Sequence, residues 1–166
     1  YIREHDLCLT HAFGHPQVNR GVGLTEQHDD YVAAGILETN GEGIVVRGAK
    51  AHTTCAPYVD YLIVLPTRAM GEEDRDYAVS FAVPVNAEGI KLIASPFGAS
   101  DGSRFHHPVS SRHRLVDTLT IFDDVFIPRE HVFLKGEWRF AGALANTFVE
   151  FHRFTAVSYK PPLCDL

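Results

Sequence analysis

A mainly β fold, an antiparallel barrel or sandwich followed by one helix, is what this 166-residue sequence predicts, and three observations predict it. Short apolar runs recur between turn residues from position 31 onward. No stretch between them carries helical spacing before position 137. Prolines fall at the ends of the runs, where a missing N–H is tolerated.

Residues 1–12 mix Tyr1, Leu7 and Leu9 with Arg3, Glu4 and Asp6, a pattern expected of the last turns of a preceding helix. From 13 to 30, Gly14, Pro16, Gly21 and Gly23 stand among polar residues, which is loop chemistry. Long ordered loops in compact domains usually bind something. Residues 31–38 and 43–52 flank Asn40-Gly41 and are expected to pair as a hairpin. Three further strands are expected over 59–65, 77–83 and 89–94, stopping at or near Pro66, Pro84 and Pro96. The polar, Gly- and Ser-rich stretch 95–114 is expected to run over the surface. Strand character returns over 115–122 and 125–127, and Asp123-Asp124 between them is expected to turn the chain back on itself. Over 137–159, Phe140, Leu144, Phe148 and Phe151 recur at three- and four-residue intervals, as on one face of an amphipathic helix that Pro161-Pro162 would end.

Bulk properties exclude several functions. A net charge of −6, with Lys and Arg scattered singly, leaves no basic surface for nucleic acid or for an anionic membrane. No apolar run approaches the ~20 residues that span a bilayer, and the start of the chain has no signal-peptide pattern. Cys8, Cys55 and Cys164 are odd in number and far apart, so neither a disulfide framework nor a zinc site is indicated. A soluble, cytoplasmic protein is expected. The absence of an initiator Met and the end at Leu166 suggest a piece of a longer chain. Phosphate-loop, dinucleotide, zinc-protease and serine-hydrolase motifs are all missing.

Four blocks of sequence carry a resemblance. They are Leu9-Thr10-His11-Ala12 with His15-Pro16-Gln17-Val18-Asn19-Arg20; Gly43-Ile44-Val45-Val46-Arg47-Gly48-Ala49-Lys50-Ala51-His52-Thr53-Thr54; Asp76 to Pro84; and His107-Pro108-Val109-Ser110-Ser111-Arg112 leading to Ile121 to Pro128. In this order they resemble the family that contains 4-hydroxyphenylacetate 3-hydroxylase and 4-hydroxybutyryl-CoA dehydratase. The resemblance implies the acyl-CoA dehydrogenase-type architecture, in which a central β-domain lies between helical domains and flavin binds where they meet. Residues 1–136 would be that flavin-binding domain, with the end of an N-terminal helix at 1–12. Residues 137–166 would start the C-terminal helical domain.

The same resemblance implies roles for particular side chains. Arg20 would pair with the flavin pyrophosphate, since a guanidinium makes two parallel bonds to phosphate oxygens. A surface salt bridge is the bland alternative. Gln17, Val18 and Asn19 would meet the isoalloxazine edge, and the Thr54 hydroxyl would reach a flavin nitrogen or carbonyl; otherwise Thr54 serves a turn. His11 would lie against a phenolic substrate as the catalytic imidazole, with Thr67 as a second substrate contact.

The activity implied is a monooxygenase that uses reduced FAD and dioxygen on a phenolic, 4-hydroxyphenylacetate-like substrate. A separate reductase would supply the FAD, and the whole protein would be a homo-oligomer. The alternatives are a dehydratase-like lyase or isomerase acting on a CoA thioester, and a flavin-binding module without turnover. The dehydratases hold an iron–sulfur cluster through three Cys and one His, the His and the last Cys seven residues apart on one helix. His152 matches that His, but Tyr159 stands where the thiolate belongs, which argues against a cluster, and no metal site is assigned. The 166 residues alone are expected to be inactive and to expose apolar faces.

Overall fold

The computed structural model describes residues 1–16, 18–95, 103–108, 111 and 116–159, with backbone only over 155–159. Its strands are β1 (Leu9–Ala12), β2 (Gly35–Thr39), β3 (Gly43–Lys50), β4 (Tyr61–Val64), β5 (Val79–Pro84), β6 (Ile90–Ser95), β7 (Asp117–Pro128) and β8 (Val132–Lys135), followed by the helix α1 (Trp138–Tyr159). They form two four-stranded sheets, ordered β1-β4-β5-β8 and β2-β3-β7-β6. The sheets do not close into a barrel, so of the two expected architectures the sandwich is the one adopted.

Apolar side chains from both sheets meet between them. Ile44, Val46, Phe122, Val125 and Ile127 face Leu62, Val64, Val79, Phe81 and Val83, all nearly or wholly removed from solvent. Phe81 and Phe122 cross edge to face at 5.6 Å, and each buried aromatic contributes roughly 1.5–3 kcal/mol relative to exposure.

β7 shows how the sequence keeps that core filled. Strict alternation after Phe122 would send Asp124 inward. Instead Val46 pairs with Val125 and Gly48 with Phe122, so Asp123 and Asp124 together oppose Arg47 in a bulge. Asp124 takes φ 56°, and the alternation restarts with Val125 inside. Gly48, opposite the bulge, has φ 114°, and a Cβ there would lie 2.1 Å from the Ala33 carbonyl oxygen. Asp123-Asp124 is therefore not a chain reversal. Both carboxylates stay outside, Asp124 bonded to Arg47 Nε at 2.6 Å and Asp123 to Lys91 Nζ at 2.6 Å.

Other expectations need correction. Residues 2–6 form turns and residues 9–12 are β1, which runs parallel to β4, rather than the end of a helix. Val132-Phe133-Leu134, an apolar run of three before Gly136 that the expected strands did not include, forms β8. Helix α1 occupies the expected span, and of its recurring apolar residues Leu144 packs against the sandwich and Phe148 against His11 and Phe13. Phe140 and Phe151 are 64% and 68% exposed, while Ala141 and Ala145 are buried, and Ala141 packs with Leu24, Met70, Tyr77 and Leu134. Small residues let the helix backbone approach the sandwich closely. Most of the expected surface run 95–114 and the Pro161-Pro162 stop lie outside the described residues, as does Cys164.

Candidate functional site

The loop between β1 and β2 is held by its own side chains. Gln27 accepts from the Asn19 amide at 3.2 Å and donates to the Asn19 and Gly23 carbonyls at 2.9 and 3.1 Å. The Asn19 side-chain oxygen accepts from Gly21 N–H at 3.0 Å, a local turn that presents Arg20. Nothing in the sequence marked Gln27 as the organiser, since its partners are backbone groups eight and four residues away.

Between this loop and the ends of β3 and β4 lies a cleft of about 640 Å³, whose wall includes His15, Asn19, Arg20, His52, Thr67 and Arg68. Among the described residues two arginines and no carboxylate line it, in a chain whose net charge is −6. Such a lining favours an anionic ligand.

Behind the lining residues Ala51 and Thr67, backbone carbonyls hold a buried lysine. Lys50, wholly buried at the end of β3, donates to the Leu65 carbonyl at 2.7 Å and to the Phe13 carbonyl at 3.3 Å. Thr67 donates its hydroxyl proton to the same Phe13 carbonyl at 2.6 Å. Its lone pairs then remain for a ligand donor. Burial pushes the Lys50 ammonium down to about 7. Gly14 bridges Ala51, whose N–H bonds the Gly14 carbonyl at 2.8 Å, and a Cβ on Gly14 would come within 2.9 Å of the Ala51 carbonyl oxygen.

His15 follows that bridge. It is only 8% exposed, and both ring nitrogens are buried without a hydrogen-bond partner among the described residues. Burial first, then the charges of Lys50 and Arg68, push it down to about 2. The ring is therefore neutral at ordinary pH, with one donor and one acceptor. Leaving each unmet costs about 1–3 kcal/mol. His15 lay inside one of the matching sequence blocks, but among ten histidines no sequence signal separated it from the rest.

Of the residues singled out from sequence, Asn19, Arg20 and Thr67 come together in this cleft. Val18 is on the same loop, 59% exposed and outside the cleft wall, and Gln17 lies outside the described residues. Thr54 also stands off the cleft wall. Its hydroxyl donates to Asp117 Oδ1 at 3.4 Å, and Asp117 Oδ2 lies 3.1 Å from Nδ1 of His52, which does line the cleft. His52 and Cys55, on either side of Thr53-Thr54, both take left-handed backbone conformations. Beneath them, Thr120 donates to the Thr53 hydroxyl at 3.0 Å and Thr118 to the Thr53 carbonyl at 2.9 Å, both inside the protein.

His11 occupies a separate aromatic cluster against α1. Its ring centroid lies 4.8 Å from Phe148 and 6.3 Å from His152, and Phe13 packs on Phe148 at 5.2 Å. Burial and then the neighbouring His152 lower its pKa.

A sequence profile described as "4-hydroxyphenylacetate 3-hydroxylase N terminal" matches residues 1–134. The chain belongs to the 4-hydroxyphenylacetate 3-hydroxylase family. Within that family it is 38% identical over 136 residues to the 4-hydroxyphenylacetate 3-monooxygenase oxygenase component of Thermus thermophilus, covering 82% of this chain and 28% of that one. An oxygen-tolerant archaeal 4-hydroxybutyryl-CoA dehydratase from N. maritimus superposes with a TM-score of 0.84 at 30% identity, over 94% of this chain and 32% of that one. A 4-hydroxyphenylacetate 3-monooxygenase oxygenase component solved with FAD superposes at 0.75 with 36% identity, over 87% and 30%. A glutaryl-coenzyme A dehydrogenase, at 16% identity and a TM-score of 0.53, shares the fold alone. The chain spans about three tenths of the length of these family members. Among the described residues no helix is long and apolar enough to cross a membrane.

Proposed function

We propose that residues 1–136 are the flavin-binding β-domain, and 137–166 the start of the C-terminal helical domain, of a cytoplasmic monooxygenase that hydroxylates a phenolic, 4-hydroxyphenylacetate-like substrate. The observation that carries this reading is the cleft: among the described residues it has two arginines, no carboxylate, and a buried histidine with both nitrogens unmet, in a fold whose solved relative is complexed with FAD. These residues suit a ligand that carries phosphate at one end and neutral hydrogen-bonding groups at the other.

Arg20 would hold the pyrophosphate of FAD, with Gln17, Val18 and Asn19 beside the ring system. The Thr54 hydroxyl, its proton turned toward Asp117, would accept from a ligand N–H. The chemistry that FAD supplies when bound and reduced is the electron pair with which dioxygen places one oxygen atom in the ring and releases the other as water. His11, its basicity lowered by burial, is neutral near pH 7 and would take or share the phenolic proton, so that negative charge develops on the substrate oxygen. Phe13 and Phe148 beside it exclude water from that proton. Thr67 would accept a hydrogen bond from substrate. A separate reductase supplies the reduced flavin, and the whole protein is a homo-oligomer.

The test is full-length protein with chemically reduced FAD, dioxygen and 4-hydroxyphenylacetate, read as catechol product. Absence of any ortho-hydroxylated product from a panel of 4-substituted phenols overturns the reading. A second reading, a lyase or isomerase on a CoA thioester, is favoured by the high structural likeness to the dehydratase and by His152 standing beside His11. Stoichiometric iron and acid-labile sulfide in anaerobically purified full-length protein would establish it; Tyr159 at the expected cysteine position supports their absence. A full-length protein that binds FAD but turns over neither substrate class would be a flavin-binding module.

A further inference from the structure

His15 presents a polar surface that the described residues leave unanswered. The ring is more than nine-tenths buried, it forms part of the cleft wall, and neither nitrogen has a partner among the described residues. Buried polar atoms are nearly always bonded, so an exception in a cleft points to a group that arrives from outside. The neighbouring wall is charged, with Arg20 and Arg68, but His15 is not. Burial and the two flanking cations, Lys50 and Arg68, keep it neutral across the whole physiological range.

A neutral imidazole has one N–H to give and one lone pair to receive, on opposite sides of the ring. Its natural complement is an uncharged group that also both gives and receives, a hydroxyl or an imide edge. A phosphate offers only acceptors and suits the arginines instead. The backbone leading into His15 is also fixed before any ligand arrives. The Gly14–Ala51 bridge pins the residue before it, and Lys50 and Thr67 hold the Phe13 carbonyl two residues back. Preorganised contacts of this kind spend little entropy on binding.

We propose that His15 is a ligand contact of the cleft, giving one hydrogen bond to and receiving one from a neutral hydroxyl or imide group of a flavin whose phosphates Arg20 and Arg68 hold. This rests on the flavin reading above. It adds Arg68 as a second anion contact and places the uncharged part of the ligand against the inner wall.

The test is equilibrium binding of FAD, riboflavin, lumiflavin and ADP to full-length wild-type, His15→Leu and His15→Asn proteins, with thermal unfolding of each ligand-free protein. His15→Leu keeps the volume and removes both polar atoms, so FAD and riboflavin should bind at least tenfold more weakly while ADP is unchanged. His15→Asn, which retains a donor and an acceptor, should stay within about threefold of wild type. Ligand-free His15→Leu should unfold at the same or a higher temperature, because two unmet polar atoms have left the interior. Loss of lumiflavin binding in His15→Leu assigns the contact to the imide edge; loss of riboflavin but not lumiflavin binding assigns it to a chain hydroxyl. FAD bound equally by wild type and His15→Leu overturns the proposal while leaving the flavin reading intact, and so does a His15→Leu protein that unfolds earlier or does not fold. A wild type that binds no flavin overturns both.

Discussion

Lys50 and Leu65 join the two sheets at the edge of the cleft: the ammonium at the end of β3 lies 2.7 Å from the carbonyl oxygen just past β4, with the lysine entirely out of solvent. A buried cation held by backbone carbonyls and no carboxylate is a costly way to tie two layers together. It also leaves a measurable trace in the pH dependence of stability.

That trace lies on the alkaline side. The folded-state pKa of Lys50 is about 7, below its ordinary 10.5. Between those values the unfolded chain carries a proton that the folded chain does not, so stability rises with pH across that window. Subtracting the unfolding temperatures of Lys50→Met from those of wild type at pH 7, 8.5 and 10 should show this rise in wild type alone. Parallel curves would mean that the ammonium is not desolvated.

His15 acts in the same direction on the acid side. Its folded pKa of about 2 lies below the ordinary 6.5, so stability is lost as pH falls from 6.5 toward 2. Carboxylates titrate over part of this range, and the difference between wild type and His15→Leu isolates the histidine. The acid limb of His15→Leu should be shallower; an unchanged limb shows the ring to be charged or solvated in the fold.

Arg20 is assigned to phosphate, so its removal should discriminate between ligands by charge. Arg20→Gln in the full-length protein should weaken FAD binding at least tenfold and leave riboflavin within twofold. The salt dependence of FAD binding should also become shallower, since one cation fewer meets the phosphates. Equal losses for FAD and riboflavin would place Arg20 away from the pyrophosphate.

Gly48 tests the β7 bulge. At φ 114°, with the Ala33 carbonyl oxygen 2.1 Å from any Cβ, Gly48→Ala should cost ~2–3 kcal/mol in denaturant unfolding. Gly41, at the β2–β3 turn, has nothing within 4 Å of a Cβ, and Gly41→Ala should stay within ~0.5 kcal/mol. A Gly48→Ala protein as stable as wild type would show that the strands slide freely past the bulge.

Local pattern was enough for β2 through β6, because an apolar run bounded by Asn40-Gly41 or by a proline has few conformations open to it. The same reasoning misread Asp123-Asp124. Two adjacent carboxylates fit a turn as well as a bulge, and only pairing with Arg47 and Lys91 across the sheet selects the bulge. Helix α1 was legible by period, but Ala141 and Ala145, which it buries, are too small to stand out in an apolar pattern. The buried face was chosen by how closely the backbone can approach, which apolarity does not report.

The sequence by itself determined the family, the β-rich character and the candidate cleft residues Asn19, Arg20 and Thr67, because these rest on residue identity and short-range order. Only the tertiary structure decided that the sheets stay open, that Lys50 is buried between them, and that His15 stands in the cleft wall with no hydrogen-bond partner among the described residues. Each of those depends on which distant backbone groups come near, as Phe13 and Leu65 come to Lys50, and a linear pattern carries no record of that distance.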